Sequence, residues 1–127
     1  MADAVASQTL LNGPRNCVMK FTNLSDGTGE SAVTKVDVSA LGYSRVRIDK
    51  IHYTCSGMTV RLLWDATADV PIFELGPDKT STLDFTHFGG LRNNAGDGVT
   101  GDINFTTVGH SSGDSYSIIL EMVATPA

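Results

Sequence analysis

Hydrophobic side chains recur at every second position along most of this chain. Unbroken rows comprise Cys17, Met19 and Phe21; Met58, Val60, Leu62 and Trp64; and Tyr116, Ile118, Leu120, Met122 and Ala124. Val36 and Val38 indicate a further row. Because successive side chains of a β-strand point to opposite faces, this period of two predicts strands with one buried face.

One of these predicted strands keeps the alternation but changes its phase midway. The hydrophobic residues Val46 and Ile48 occupy even-numbered positions, whereas Ile51 and Tyr53 occupy odd-numbered positions. A single extra residue in a strand shifts the alternation in this way. The pattern therefore predicts a β-bulge near Asp49 and Lys50.

Shorter apolar pieces lie at residues 71–75, 83–85 and 103–107, and turn-forming residues separate the rows. No long stretch keeps helical spacing. About eight short strands divided by turns favour an antiparallel all-β sandwich or barrel. The specific prediction is a jelly-roll-like β-sandwich. An immunoglobulin-type sandwich is disfavoured, because Trp64 follows both cysteines.

The chain has 127 residues, which suits one domain. Its first part is small and polar apart from Leu10 and Leu11, and it ends in a turn-forming Asn-Gly-Pro. We predict a short N-terminal arm at residues 1–15, followed by a single β-sandwich domain at residues 16–127. A frayed end with a short edge strand is an equally open interpretation of residues 1–15.

The net charge is −5, and charged residues make up 18% of the chain. The usual share in globular proteins is about 25%, so a low-charge surface indicates contact with another protein. Lys and Arg form no run, which excludes nucleic acid and anionic membranes as expected partners. We also expect neither a secretory signal nor a membrane span.

Residues 96–101 read Gly-Asp-Gly-Val-Thr-Gly, which fits the dinucleotide-binding pattern G-x-G-x-x-G. That pattern requires a strand before it and a helix after it, because the helix N-terminus binds the pyrophosphate. Here a strand-like segment follows, and the carboxylates of Asp97 and Asp102 would repel phosphate. The spacing of a calcium loop is also missing. We therefore predict a turn that binds neither phosphate nor metal.

Residues that often carry chemistry are scattered. His52, His87 and His110 lie far apart, and the sequence contains no nucleophile elbow, zinc-binding helix motif or P-loop. We predict no catalytic, cofactor-binding or metal-ligating residues, no cofactor and no enzyme activity. Cys17 and Cys55 match no metal or redox motif, so we expect two buried free thiols.

Aromatic residues offer one further possibility. Trp64 and Tyr53, with Asp65, would suit a platform on which a sugar ring stacks. Trp64, however, shares its row with three other hydrophobic residues. The pattern therefore favours Trp64 as part of the core.

Three segments carry a resemblance to a known family. They read VRLLWDATADVPIFELGP at residues 60–77, DFTHFGGLRNNAGDGVTGDINFTT at residues 84–107 and SYSIILEMVA at residues 115–124. The chain resembles the small capsid decoration or cement proteins of tailed bacteriophages. These segments carry turn and strand patterns, so no binding residue is transferred from the family.

The resemblance implies a non-enzymatic virion structural protein, made in the host cytoplasm and located on the outer surface of the capsid. As a homodimer or homotrimer it would bind an icosahedral head and cement adjacent subunits of the major capsid protein. Residues 2–15 and 88–101 are the candidate contact regions. The alternative is a carbohydrate-binding β-sandwich module on the virion surface.

Overall fold

The computed structural model describes residues 4–13, 15–24, 30–76, 78–93, 96, 98–109 and 111–126. Within them the chain forms nine strands, one short α-helix and one turn of 3₁₀ helix. Their bounds are β1 Ala4–Asn12, β2 Asn16–Leu24, β3 Val33–Val36, α1 Val38–Leu41, β4 Tyr43–Ser56, β5 Thr59–Trp64, β6 Val70–Leu75, β7 Lys79–Asp84, the 3₁₀ turn Thr86–Phe88, β8 Ile103–Val108 and β9 Ser115–Pro126.

The strands form two antiparallel sheets that pack face to face. One sheet has the order β1-β2-β9-β4-β7, and the other has the order β3-β8-β5-β6. Apart from β1, four strands lie in each sheet, and most connections cross from one sheet to the other. This arrangement is that of a jelly roll, so the predicted all-β sandwich is confirmed.

The inner faces of the two sheets form one hydrophobic core. The hydrophobic rows of β2, β5 and β9 all point into it, as the alternation predicted. Trp64 is 1% exposed and Phe105 is fully buried between the sheets. Phe105 also packs edge-on against Phe21, with ring centroids 5.1 Å apart. Trp64 therefore belongs to the core.

Strand β4 contains the bulge that its change of phase predicted. Ile48 pairs with Met122 of β9, whereas Lys50 pairs with Glu121, so Asp49 is the extra residue. The bulge allows Ile48 and Ile51 to point inward although they lie three positions apart, and both are fully buried.

Residues 4–12 lie in an edge strand, one of the two interpretations open for residues 1–15. Strand β1 pairs antiparallel with β2. Its end is fixed by Tyr43, whose hydroxyl oxygen lies 2.5 Å from Asn12 Oδ1 and 2.6 Å from the Gly13 carbonyl oxygen. Leu10 and Leu11 are about half exposed, at 54% and 49%. Among the described strands, β1 is the outermost of its sheet, and none pairs with its other edge.

The structure corrects the prediction that Val36 and Val38 lie in one strand. Val36 ends β3, but Val38 begins helix α1, because the Asp37 carboxylate accepts the Ala40 N–H and caps a helical turn. Both valines are still buried. Among the described residues, no helix is long and apolar enough to span a bilayer.

Candidate functional site

The three histidines do not form a common site in the described part of the chain. His52 lies on the outer face of β4 and contacts Glu121 and Thr82. His87 is exposed in the 3₁₀ turn, and His110 lies outside the described residues. In the ranges that the structure describes, no three His, Cys, Asp or Glu residues are grouped to hold a metal ion.

The glycine-rich segment is a turn, as predicted. Asn94, Ala95 and Asp97 lie outside the described residues, so the calcium interpretation is not addressed there. Gly98 and Gly101 have φ angles of 76° and 92°, and strand β8 follows instead of the helix that a phosphate site requires.

The two cysteines are buried free thiols, as predicted. Burial raises the pKa of both, that of Cys55 to about 11. A thiol with a raised pKa in the core carries little thiolate at neutral pH, so it is a poor nucleophile. Neither residue is suited to catalysis.

A sugar platform on Trp64 and Tyr53 is not formed. Trp64 is 1% exposed and Tyr53 is 8% exposed, so neither ring offers its face to a ligand. Phe73, on the edge strand β6, is 40% exposed and packs edge-on against Phe85 with centroids 5.7 Å apart.

Four arginines line one cleft at the end of the five-stranded sheet, which we call the arginine cleft. Its volume is about 340 Å³. The residues that line it are Arg15, Arg45, Val46, Arg47, Arg92, Asn93, Val123, Ala124 and Thr125. The cleft thus brings together Arg15 from the first predicted contact region and Arg92 with Asn93 from the second.

The strand register explains three of these arginines. Arg45 and Arg47 flank the buried Val46, so alternation turns both toward the outer face of the sheet. They pair with Thr125 and Val123 of β9. Arg15 lies just before β2, and its carbonyl oxygen accepts the Ala124 N–H.

The fourth arginine is positioned by a loop that docks on the bulge of β4. Leu91 and Ile48 exchange two backbone hydrogen bonds, with N···O distances of 2.7 and 3.0 Å. This close approach depends on Gly90, whose φ is 86° and whose added Cβ would lie 3.0 Å from the Ile48 carbonyl oxygen. Arg92 comes directly after Leu91 in the sequence, so the docking of Leu91 positions Arg92 in the arginine cleft.

The cleft concentrates positive charge on one part of a chain whose net charge is −5. Arg47 Nε donates to Asp49 Oδ1 at 3.0 Å. Arg15, Arg45 and Arg92 form no ion pair with any residue that the structure describes. Since guanidinium groups bind carboxylates in a bidentate manner, the cleft can bind carboxylates or other oxyanions.

No protein-family model matches the sequence, and no curated protein matches it. Among solved structures, a cupin domain from Bordetella pertussis Tohama I is 13% identical, with 96% of each chain covered and a TM-score of 0.37. Two variants of family 29 carbohydrate-binding modules are each 11% identical with TM-scores of 0.40, over 97% of this chain and 87% or 94% of theirs. Likenesses this distant indicate no function.

Proposed function

We propose that this protein is a capsid cement protein, which binds the outside of an icosahedral phage head and clamps adjacent major capsid protein subunits. It does so without catalysis, as a homodimer or homotrimer. The resemblance of three of its segments to decoration proteins supports this proposal. The observation that carries it is the arginine cleft, because three of its four arginines lack an ion-pair partner within the described residues.

The cleft takes up Asp or Glu side chains of the shell protein. An acidic partner would offset the cost of holding several guanidinium groups together, and it would be steered by the local positive potential. Because a cement protein binds the assembled shell and not its free subunits, its binding free energy stabilises the shell.

A second hollow lies next to the arginine cleft and shares Val123 with it. Its lining combines apolar side chains, among them Leu11 of β1, with the charged Asp49, Lys50 and Glu121. Leu11 is 49% exposed there. Charged and apolar contacts side by side are typical of a protein interface, so we assign both hollows to the surface that faces the shell.

The test is binding to heads that lack this chain, with the free and bound protein separated by sedimentation. Arg45→Glu reverses one charge in the cleft and should weaken binding about tenfold or more. Arg61→Glu is the matched control, because Arg61 lies on the opposite sheet and pairs with Glu74. Equal binding by Arg45→Glu, Arg61→Glu and the natural protein would refute the docking surface.

The clamping role has a separate test in the particles themselves. Particles that lack the chain should lose integrity at lower temperature and under milder osmotic shock than complete particles. The chain should also be present at a fixed ratio to the shell protein. Particles equally resistant without it would refute clamping while leaving binding intact.

A carbohydrate-binding module is the second candidate. A hollow of about 370 Å³ on the outer face of the five-stranded sheet is lined largely by hydroxyl groups, together with His52. Such groups form hydrogen bonds with sugars. Binding to a glycan array that the substitution His52→Ala abolishes would favour this candidate. Binding to no glycan on the array would exclude it.

A further inference from the structure

A lysine, a glutamate and an asparagine meet inside the sandwich. Lys35 Nζ lies 2.5 Å from Glu30 Oε2, and the two side chains are 5% and 6% exposed. Asn23 Nδ2 donates to Glu30 Oε1 at 2.9 Å, and Asn23 is 3% exposed. The amine and the amide therefore contact the same carboxylate, one at each oxygen.

Each of the three side chains is directed inward by the local fold. Asn23 occupies an inward position of β2. Lys35 points inward because the β3–β8 register shifts between Thr34 and Val36. Glu30 is held by Thr107, whose hydroxyl oxygen accepts the Glu30 N–H at 2.8 Å.

The Glu30 carboxylate is buried and contacts one aromatic residue, Tyr116. The Tyr116 hydroxyl donates to Glu30 Oε1 at 2.6 Å, which fixes the orientation of the carboxylate. The Tyr116 ring packs edge-on against Phe105, with centroids 6.0 Å apart. Such a site excludes water, which would otherwise compete for a reactive intermediate.

A buried ion pair is a poor source of stability, since desolvation of two charges offsets most of their attraction. This pair, however, is also the arrangement needed to join an amine to an amide. We propose that Lys35 and Asn23 form an intramolecular isopeptide bond, with Glu30 as the proton-transferring group. The inference is independent of docking on a phage head.

The reaction balances without an external reactant. The Lys35 ammonium gives one proton to Glu30 Oε2, and this leaves two neutral groups in the low-dielectric interior. The free amine attacks Asn23 Cγ, so an Nζ–Cγ bond forms and the Cγ–Nδ2 bond breaks. The departing nitrogen takes up the proton on Glu30 and one from Nζ, and leaves as ammonium. Glu30 is a carboxylate again.

The geometry suits the proton transfers. Glu30 lies within hydrogen-bond distance of both the nitrogen that loses protons and the nitrogen that gains them. The product is an amide that joins β2 of one sheet to β3 of the other. It removes the buried ammonium of Lys35, leaves the Glu30 carboxylate with the Tyr116 hydrogen bond, and holds the two sheets together covalently.

Intact mass spectrometry of the purified, folded chain under denaturing conditions tests the inference. The natural protein should be lighter than its sequence by one ammonia. Glu30→Gln and Lys35→Arg should both have the full mass, because the first removes the proton acceptor and the second the nucleophile. Asn23→Asp should lose water in place of ammonia. Lys20→Arg, on the outer face of β2, should behave as the natural protein does.

Tryptic digestion of the natural protein locates the bond, and this test does not depend on whether the variants fold. A linked Lys35 resists cleavage, so residues 21–45 should stay together as one peptide that lacks one ammonia. An unlinked chain gives residues 21–35 and 36–45. A folded natural protein of full mass would overturn the inference. So would an ammonia loss confined to residues 1–15, where Asn12-Gly13 can form a succinimide.

Discussion

Truncation of Trp64 is the sharpest test of the core. Trp64 is 1% exposed, and it lies in β5 between Ile103 of β8 and Val70 of β6. Trp64→Ala removes a large side chain from a site enclosed on both sides. Such truncations cost about 3–5 kcal/mol, which is a large part of the about 5–15 kcal/mol that stabilises a typical domain.

The assay is urea unfolding followed by far-ultraviolet circular dichroism, since Trp64 is the only tryptophan and its fluorescence is lost with it. With an m-value of about 2 kcal/mol/M, the loss corresponds to a midpoint lower by about 2 M urea. Phe73→Ala is the matched control. Phe73 is 40% exposed and makes one edge-on aromatic contact, so we expect a cost of about 1 kcal/mol.

The comparison also bears on sugar binding. A Trp64→Ala variant as stable as Phe73→Ala would refute the placement of Trp64 in the core. It would restore the interpretation of Trp64 as an exposed platform. If Trp64→Ala loses much more stability than Phe73→Ala, any loss of ligand binding by Trp64→Ala is a consequence of impaired folding and not of a missing binding residue.

Gly101→Ala should destabilise the fold by more than Gly109→Ala, because an added Cβ would lie 2.6 Å from the Ser44 carbonyl oxygen in the first case and in open space in the second. Thermal unfolding of both variants checks this, and equal losses would contradict it. Cys55, with its pKa raised to about 11, should react with a thiol reagent at about pH 8 far more slowly in the folded chain than in urea; equal rates would refute its burial. Burial also raises the pKa of Asp102, so the folded state holds this proton more tightly than the unfolded chain. Its stabilising contribution is therefore complete below the unfolded pKa and is lost as the pH rises through the folded pKa. Relative to Asp102→Asn, the natural protein should lose stability as the pH rises above about 4, the ordinary pKa of an unfolded Asp, and a flat difference in urea midpoints would contradict this.

The hydrophobic alternation predicted the sandwich because burial and strand geometry share a period of two. It located the core rows and placed the bulge near Asp49 and Lys50, since an extra residue changes which face is apolar. It failed at Val38, where the side chain of Asp37 stabilises a helical turn instead of a longer strand. Burial was predicted correctly there, and the backbone conformation was not.

The arginine cleft could not be predicted, because it depends on contacts between distant parts of the chain. Arg15, Arg45 and Arg92 are isolated in the sequence and meet only through the register of β4 with β9 and the docking of Leu91 on Ile48. The sequence predicted the two contact regions separately, as an N-terminal arm and a polar loop. Only the fold joins them in one cleft.

The buried Lys35 is the clearest departure from the sequence pattern. Simple alternation with Val36 places Lys35 on the outer face, whereas the register shift in β3 turns it inward toward Glu30. A charged residue in a short strand gives no sequence signal for this. Its partner Asn23 lies at the end of a hydrophobic row, where a polar residue is usually interpreted as the end of the buried segment.

A cryo-EM map of the intact phage particle tests the central claim most directly. We predict two or three sandwich domains, as a homodimer or homotrimer, at each attachment site on the outer surface of the head. The end that carries Arg15, Arg45 and Arg92 should face acidic side chains of the major capsid protein. A map with no density for this chain on the shell, or with the arginine cleft turned toward solvent, would contradict it.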